Sequence, residues 1–178
     1  MARSSADLAI RARQAYELGR LRTKIPVSLF AVPPAVVALD VCQRPWLTLP
    51  LASLLAVALV AAHWRGEAAA RGATAGLMAG ALAFAVPLLV SGLGFCVLMP
   101  SLAFTLVCGG GGLASGGVLA VCALRSQGPR AVFLISGGLV AGLTGGLGCV
   151  LAGLGGLAGV AVGVCLGLAP AALVRSNA

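Results

Sequence analysis

The sequence predicts an all-α, polytopic membrane protein with six transmembrane helices, both termini on the cytoplasmic side, and Gly-rich helix packing. Three observations carry that reading. Of 178 residues, 60% are hydrophobic and 9% charged, too apolar for a water-covered surface. Six spans of about 20 apolar residues nearly exhaust the chain. Second, eleven of the twelve basic residues fall on one side of such a layout: Arg3, Arg11, Arg13, Arg20, Arg22 and Lys24, then Arg65, Arg71, Arg125, Arg130 and Arg175, with Arg44 the exception. Lys and Arg flanking spans are retained in the cytoplasm, so the number of spans is even and the expected site is a bacterial-type cell inner membrane. Third, glycine recurs every fourth residue in the last four spans.

Residues 1–24 form a cytoplasmic basic segment. Ser4 or Ser5 is placed to cap a short helix, Asp7 falls in its first turn, and Arg13 and Glu17 stand at an i,i+4 spacing. These polar residues precede the first apolar stretch, unlike a cleaved leader, so the segment is expected to be retained. The six-helix domain follows over 25–174, and 175–178 form a cytoplasmic tail. The first span, Ile25 to Val41, is interrupted by Pro26, Pro33 and Pro34, which remove backbone donors. The second, Trp46 to Trp64, is bracketed by indoles that suit the two interfaces. The third is expected at Gly72 to Leu93 and the fourth at Leu98 to Leu124. From Ala131 to Val174 no residue is charged; one helix of that length would rise ~66 Å, twice the hydrocarbon thickness, so the run folds into a hairpin around Ala152 to Gly155.

The glycine rows are Gly72, Gly76 and Gly80; Gly112 and Gly116; Gly138, Gly142 and Gly146; and Gly155, Gly159, Gly163 and Gly167. Such rows let helix backbones approach closely in lipid, where packing rather than water exclusion drives association. The alternative is an assembly face or a flexible gate. The net charge of +8 reads as topology signal and attraction to membrane lipid, without direct nucleic-acid binding, and a homo-oligomer remains open.

Few residues are suited to chemistry. His63 is the one histidine, which excludes bis-histidine haem ligation and a histidine-rich metal site. Asp40, at a helix end four residues before Arg44, reads as an interfacial ion pair. Neither a catalytic set nor a cofactor is expected, and the chain is not read as an enzyme. Cysteine is more informative. Cys42, Cys96 and Cys149 are placed near the outer face, an oxidising compartment, where two of them can form a disulfide or bind a soft metal. Cys108, Cys122 and Cys165 are placed deeper and read as small packing residues. The candidate sensor residues are Cys96 and Cys149.

Phe95-Cys96-Val97-Leu98-Met99-Pro100, before the fourth span, and the small-residue helix Ser136 to Cys149 resemble two features of the NrsF-type multi-pass anti-sigma factors. Carotenogenic membrane anti-sigma factors share the same general plan. The family's His beside the second cysteine and Trp-Ser before the first have no counterpart here. The resemblance implies that the N-terminal helix holds an extracytoplasmic-function sigma factor at the membrane, with Arg11, Arg13, Tyr16, Leu18 and Arg20 as candidate partner-binding residues. A signal at Cys96 and Cys149 would repack the spans and release it. A small transporter or channel, and an accessory subunit of a membrane complex, are the alternative readings.

Overall fold

In the computed structural model of the chain, residues 25–42, 45–92, 101–126 and 128–173 are described, with 11, 15 and 19 of the N-terminal segment, all three helical. The chain is an all-α polytopic membrane protein. A 3-10 segment, Ile25–Ala31, leads into α1 (Val32–Cys42). Then come α2 (Pro45–Arg65), α3 (Glu67–Gly92), α4 (Ser101–Arg125), α5 (Arg130–Cys149) and α6 (Gly153–Leu173), the last two joined by the 3-10 turn Val150–Ala152. Helices α2 to α6 are each long and apolar enough to cross a membrane, and Pro26–Val41 is a shorter apolar helix.

The prolines of the first span restart the helix rather than break it. Pro33 and Pro34 lie in the first turn of α1, where backbone N–H groups have no intrahelical partner to lose. The 3-10 segment before it rises ~2 Å per residue against ~1.5 Å in an α-helix. Laid end to end, the two pieces therefore reach ~30 Å, the thickness of the hydrocarbon core. Pro50, Pro87 and Pro170 sit inside α2, α3 and α6 without ending them, as packed membrane helices permit.

Helix α3 begins at Glu67, five residues before the expected Gly72. Gly66, at φ 125°, turns the chain in a conformation other residues rarely adopt, and its carbonyl accepts the Ala70 N–H at 3.0 Å. Gly128, at φ 128°, does the same between α4 and α5. A Cβ on Gly128 would lie 3.8 Å from that of Ala68, so the two connections are neighbours. Arg65, Arg71, Arg125 and Arg130 consequently gather at one end of the bundle, where Arg71 pairs with Glu67.

Two parallel helix pairs make the centre. Helix α3 lies along α5, and α4 along α6, with more extensive contact than any other pair. In the first seam Gly72 abuts Phe133 and Ser136, Gly76 abuts Gly137, and Gly80 lies against Ala141 and Thr144. In the second, Gly112 faces Val160, Gly116 faces Val164 and Gly167, and Gly163 faces Gly109 and Leu113. A Cβ on Gly112 would stand 2.6 Å from the Val160 carbonyl oxygen, and one on Gly116 2.6 Å from that of Val164. The backbones themselves are in contact, which maximises dispersion and Cα–H···O attraction where lipid supplies no hydrophobic drive.

The expected row on α5 is divided by the structure. Gly137, Ala141, Thr144 and Gly148 meet α3, whereas Gly138 and Gly146 receive Leu168 and Leu157 of α6. Gly142 faces open space: a Cβ there would have nothing within 4 Å. Helix α5 thus presents small residues to two neighbours and is buried along most of its length. By contrast α1 and α2 are attached through ordinary side chains: Leu55 and Leu59 are fully buried in a cluster with Ala31, Ala38, Val140 and Leu147.

Candidate functional site

Cys149, the last residue of α5, is disulfide-bonded to Cys108 of α4, with their Cα atoms 6.2 Å apart, inside the usual span for such a bridge. Both cysteines are fully buried, and Phe104, Val160 and Val164 pack around them. Cys108 is therefore not the simple packing residue expected from its position. Counted from the basic ends, the two sulfurs are level: Arg130 to Cys149 rises ~28 Å and Arg125 back to Cys108 ~26 Å at ~1.5 Å per residue. That equality is the sequence signal for the pair.

The hairpin beyond Cys149 is tucked into the bundle. Val150 is fully buried, and Gly153, at φ 66° and ψ −148°, starts α6 from a backbone conformation that suits glycine. Gly156 then lies against Cys149, where a Cβ would come within 2.6 Å of the carbonyl oxygen. The bridge therefore joins the two parallel pairs, one cysteine belonging to α3–α5 and the other to α4–α6. Between those pairs contact is less extensive: Leu119 lies on Gly137, Leu168 on Gly138 and Leu157 on Gly146, and Gly111 approaches Ala83, where a Cβ would stand 3.3 Å from the Ala83 Cα. The most extensive backbone seams lie within each pair, and lesser contact plus one covalent bond joins the pairs.

Three hydroxyls in the bundle are consumed locally. Thr144 Oγ1 donates to the Val140 carbonyl at 2.8 Å, Ser115 Oγ to that of Gly112 at 2.9 Å, and Ser136 Oγ to those of Val132 and Phe133. These are bonds a hydroxyl makes to its own helix, and among the described residues no buried side-chain N or O lacks a partner. His63 donates from Nδ1 to the Leu59 carbonyl at 2.9 Å, an in-helix bond at the basic end. Among the described residues no three His, Cys, Asp or Glu side chains converge as a metal set.

Of the other candidate residues, Arg11 is helical and exposed. Arg13, Tyr16, Leu18, Arg20 and Cys96 lie outside the described residues, as does Arg44, the expected partner of the exposed Asp40. Cys122 and Cys165 are free and exposed. Ile25–Ala31, immediately after the basic segment, packs on α2, and its Val27 and Ala31 belong to the cluster that contains Leu147. A continuous body of packed side chains thus runs from two residues before Cys149 to the start of the spanning domain. No family model matches the chain, and no curated protein and no solved structure is significantly similar to it.

Proposed function

We propose that this protein is a membrane-bound anti-sigma factor of the cell inner membrane, with both termini in the cytoplasm. Residues 1–24 hold an extracytoplasmic-function sigma factor, and a signal at the opposite face releases it. The observation that carries the reading is the packed cluster linking Leu147, beside the Cys108–Cys149 bridge, to Val27 and Ala31, beside the basic segment. A regulator needs a two-state element biased from both sites. Two helix pairs with extensive internal seams, joined by lesser contact and one cleavable bond, supply one: a dithiol reductant converts the bridge to two thiols and frees the pairs to shift. Contiguous packing supports coupling, and experiment measures it.

The transporter reading needs a polar path. Thr144, Ser115 and Ser136 turn their hydroxyls into their own helices, and the two main seams are closed by backbone contact. Deleting residues 2–22 separates the readings. The regulator loses repression of its sigma-dependent promoter while the spanning domain stays folded; a transporter or channel keeps both its flux and an unchanged promoter.

A further inference from the structure

We infer that the groove between α2 and α5 is a binding site for one anionic phospholipid, its acyl chain in the groove and its phosphate on Arg65. The cavity has a volume of about 600 Å³ and opens between the two helices beside α3. Leu54 and Leu143 close its far end, Ala61 and Leu139 line its middle, and Val132 and Arg65 stand at its basic end. Its concavity has a sequence cause: α2 carries Ala58, Ala61 and Ala62 where bulkier residues would fill the space, and α3 contributes Ala69.

Length, polarity and charge choose the occupant. From Leu54 to Arg65 the helix rises ~16 Å, the depth of one leaflet of a ~30 Å core. Within the groove the one side-chain hydroxyl, that of Ser136, is committed to the carbonyls of Val132 and Phe133, so the lining presents hydrocarbon. At the end stands a guanidinium with no carboxylate partner among the described residues, since Glu67 is taken by Arg71. Arg130 begins α5 two residues before Val132, at the same end. An apolar slot one leaflet deep with an unneutralised cation at the headgroup level fits an acyl chain and its phosphate. A second copy of the chain would bring an apolar helix that leaves this cation unmatched.

Native mass spectrometry of the delipidated full chain in detergent, titrated with dioleoylphosphatidylglycerol or dioleoylphosphatidylcholine, tests the site. The first phosphatidylglycerol is expected to bind about fivefold more tightly than the first phosphatidylcholine, the contribution of one basic residue near an anionic headgroup. Arg65→Gln abolishes the preference, Arg125→Gln retains it, and Ala61→Phe, at an exposed position in the slot, removes the first site for both lipids. Equal affinity for the two lipids in the wild type, or a preference that survives Arg65→Gln, overturns the inference. So does a lipid-resistant dimer, which assigns the groove to a second copy. Lipid binding that emerges only when residues 2–22 are deleted also overturns it, assigning the groove to the N-terminal segment.

Discussion

A methyl group on Gly76 would collide with the backbone of Gly137, its Cβ coming to 2.9 Å from the Gly137 Cα and closer still to the carbonyl oxygen. Neither atom belongs to a side chain that can turn away, so Gly76→Ala forces α3 from α5, with an overpacking cost of about 1–3 kcal/mol. Gly142 belongs to an equally regular glycine row but has nothing within 4 Å of its Cβ direction. Gly142→Ala is expected to be neutral or to stabilise by up to ~1 kcal/mol through helix propensity. Thermal unfolding of the two variants in one detergent checks the contrast: a lower midpoint for Gly76→Ala and an equal or higher one for Gly142→Ala. Equal midpoints would mean that the α3–α5 seam is not closed by backbone contact. The cysteines give a second prediction at this scale. In denaturing detergent without reductant, a maleimide is expected to label Cys122 and Cys165, which are free, and to leave Cys108 and Cys149 unlabelled until a dithiol is added. Site-resolved mass spectrometry reads the result; labelling of Cys149 before reduction contradicts the pairing.

Between elements, the Cys108–Cys149 bridge closes a sequence separation of 41 residues across the boundary of the two helix pairs. A cross-link closing a loop of that size contributes about 4 kcal/mol in the chain-entropy account. That is an upper figure here, because helices in lipid persist when the bundle opens and the loop is never a random coil. Cys108→Ala/Cys149→Ala is expected to lower the thermal midpoint while the α4–α6 seam, made by Gly112, Gly116 and Gly163, holds. Dithiol treatment is expected to shift the wild type by the same amount and leave the double variant unchanged, which differential scanning in both redox states checks. Much of this architecture is legible in the sequence. The apolar runs, the paired indoles and the four-residue glycine steps locate α2 to α6 and the α5–α6 hairpin within a few residues. Sidedness is not legible in the same way. Periodicity shows that α5 has small residues but cannot say that Gly137 and Ala141 face α3 while Gly138 and Gly146 face α6, since adjacent positions on a helix point about 100° apart and the neighbour decides. Depth counted from the start of its span puts Cys108 among the packing residues; counted from the basic ends of α4 and α5 it stands level with Cys149. The early start of α3 likewise follows from Gly66, whose turn lets the helix begin at Glu67.

Over the whole molecule, charge is segregated: Arg65, Arg71, Arg125 and Arg130 meet at one end, and the disulfide lies toward the other. If the basic end faces the cytoplasm, as the rule for Lys and Arg requires, a reporter fused after Ala178 is active as a cytoplasmic protein and silent as an exported one, and a fusion within residues 93–100 shows the reverse. In the proposed role, that segregation sets a reducible bond toward one face against residues 1–24 at the other. Lipid at Arg65 adds a third input, placed between them on α2, the helix against which Ile25–Ala31 packs. The most direct measurement is affinity purification of the full chain and of a variant lacking residues 2–22 from their native membranes, with the co-purifying proteins identified by mass spectrometry. The expected result is a sigma factor recovered with the full chain and lost with the deletion, both forms remaining folded in the membrane. Recovery of no sigma factor with the full chain, or of equal amounts with both, would contradict the proposed role.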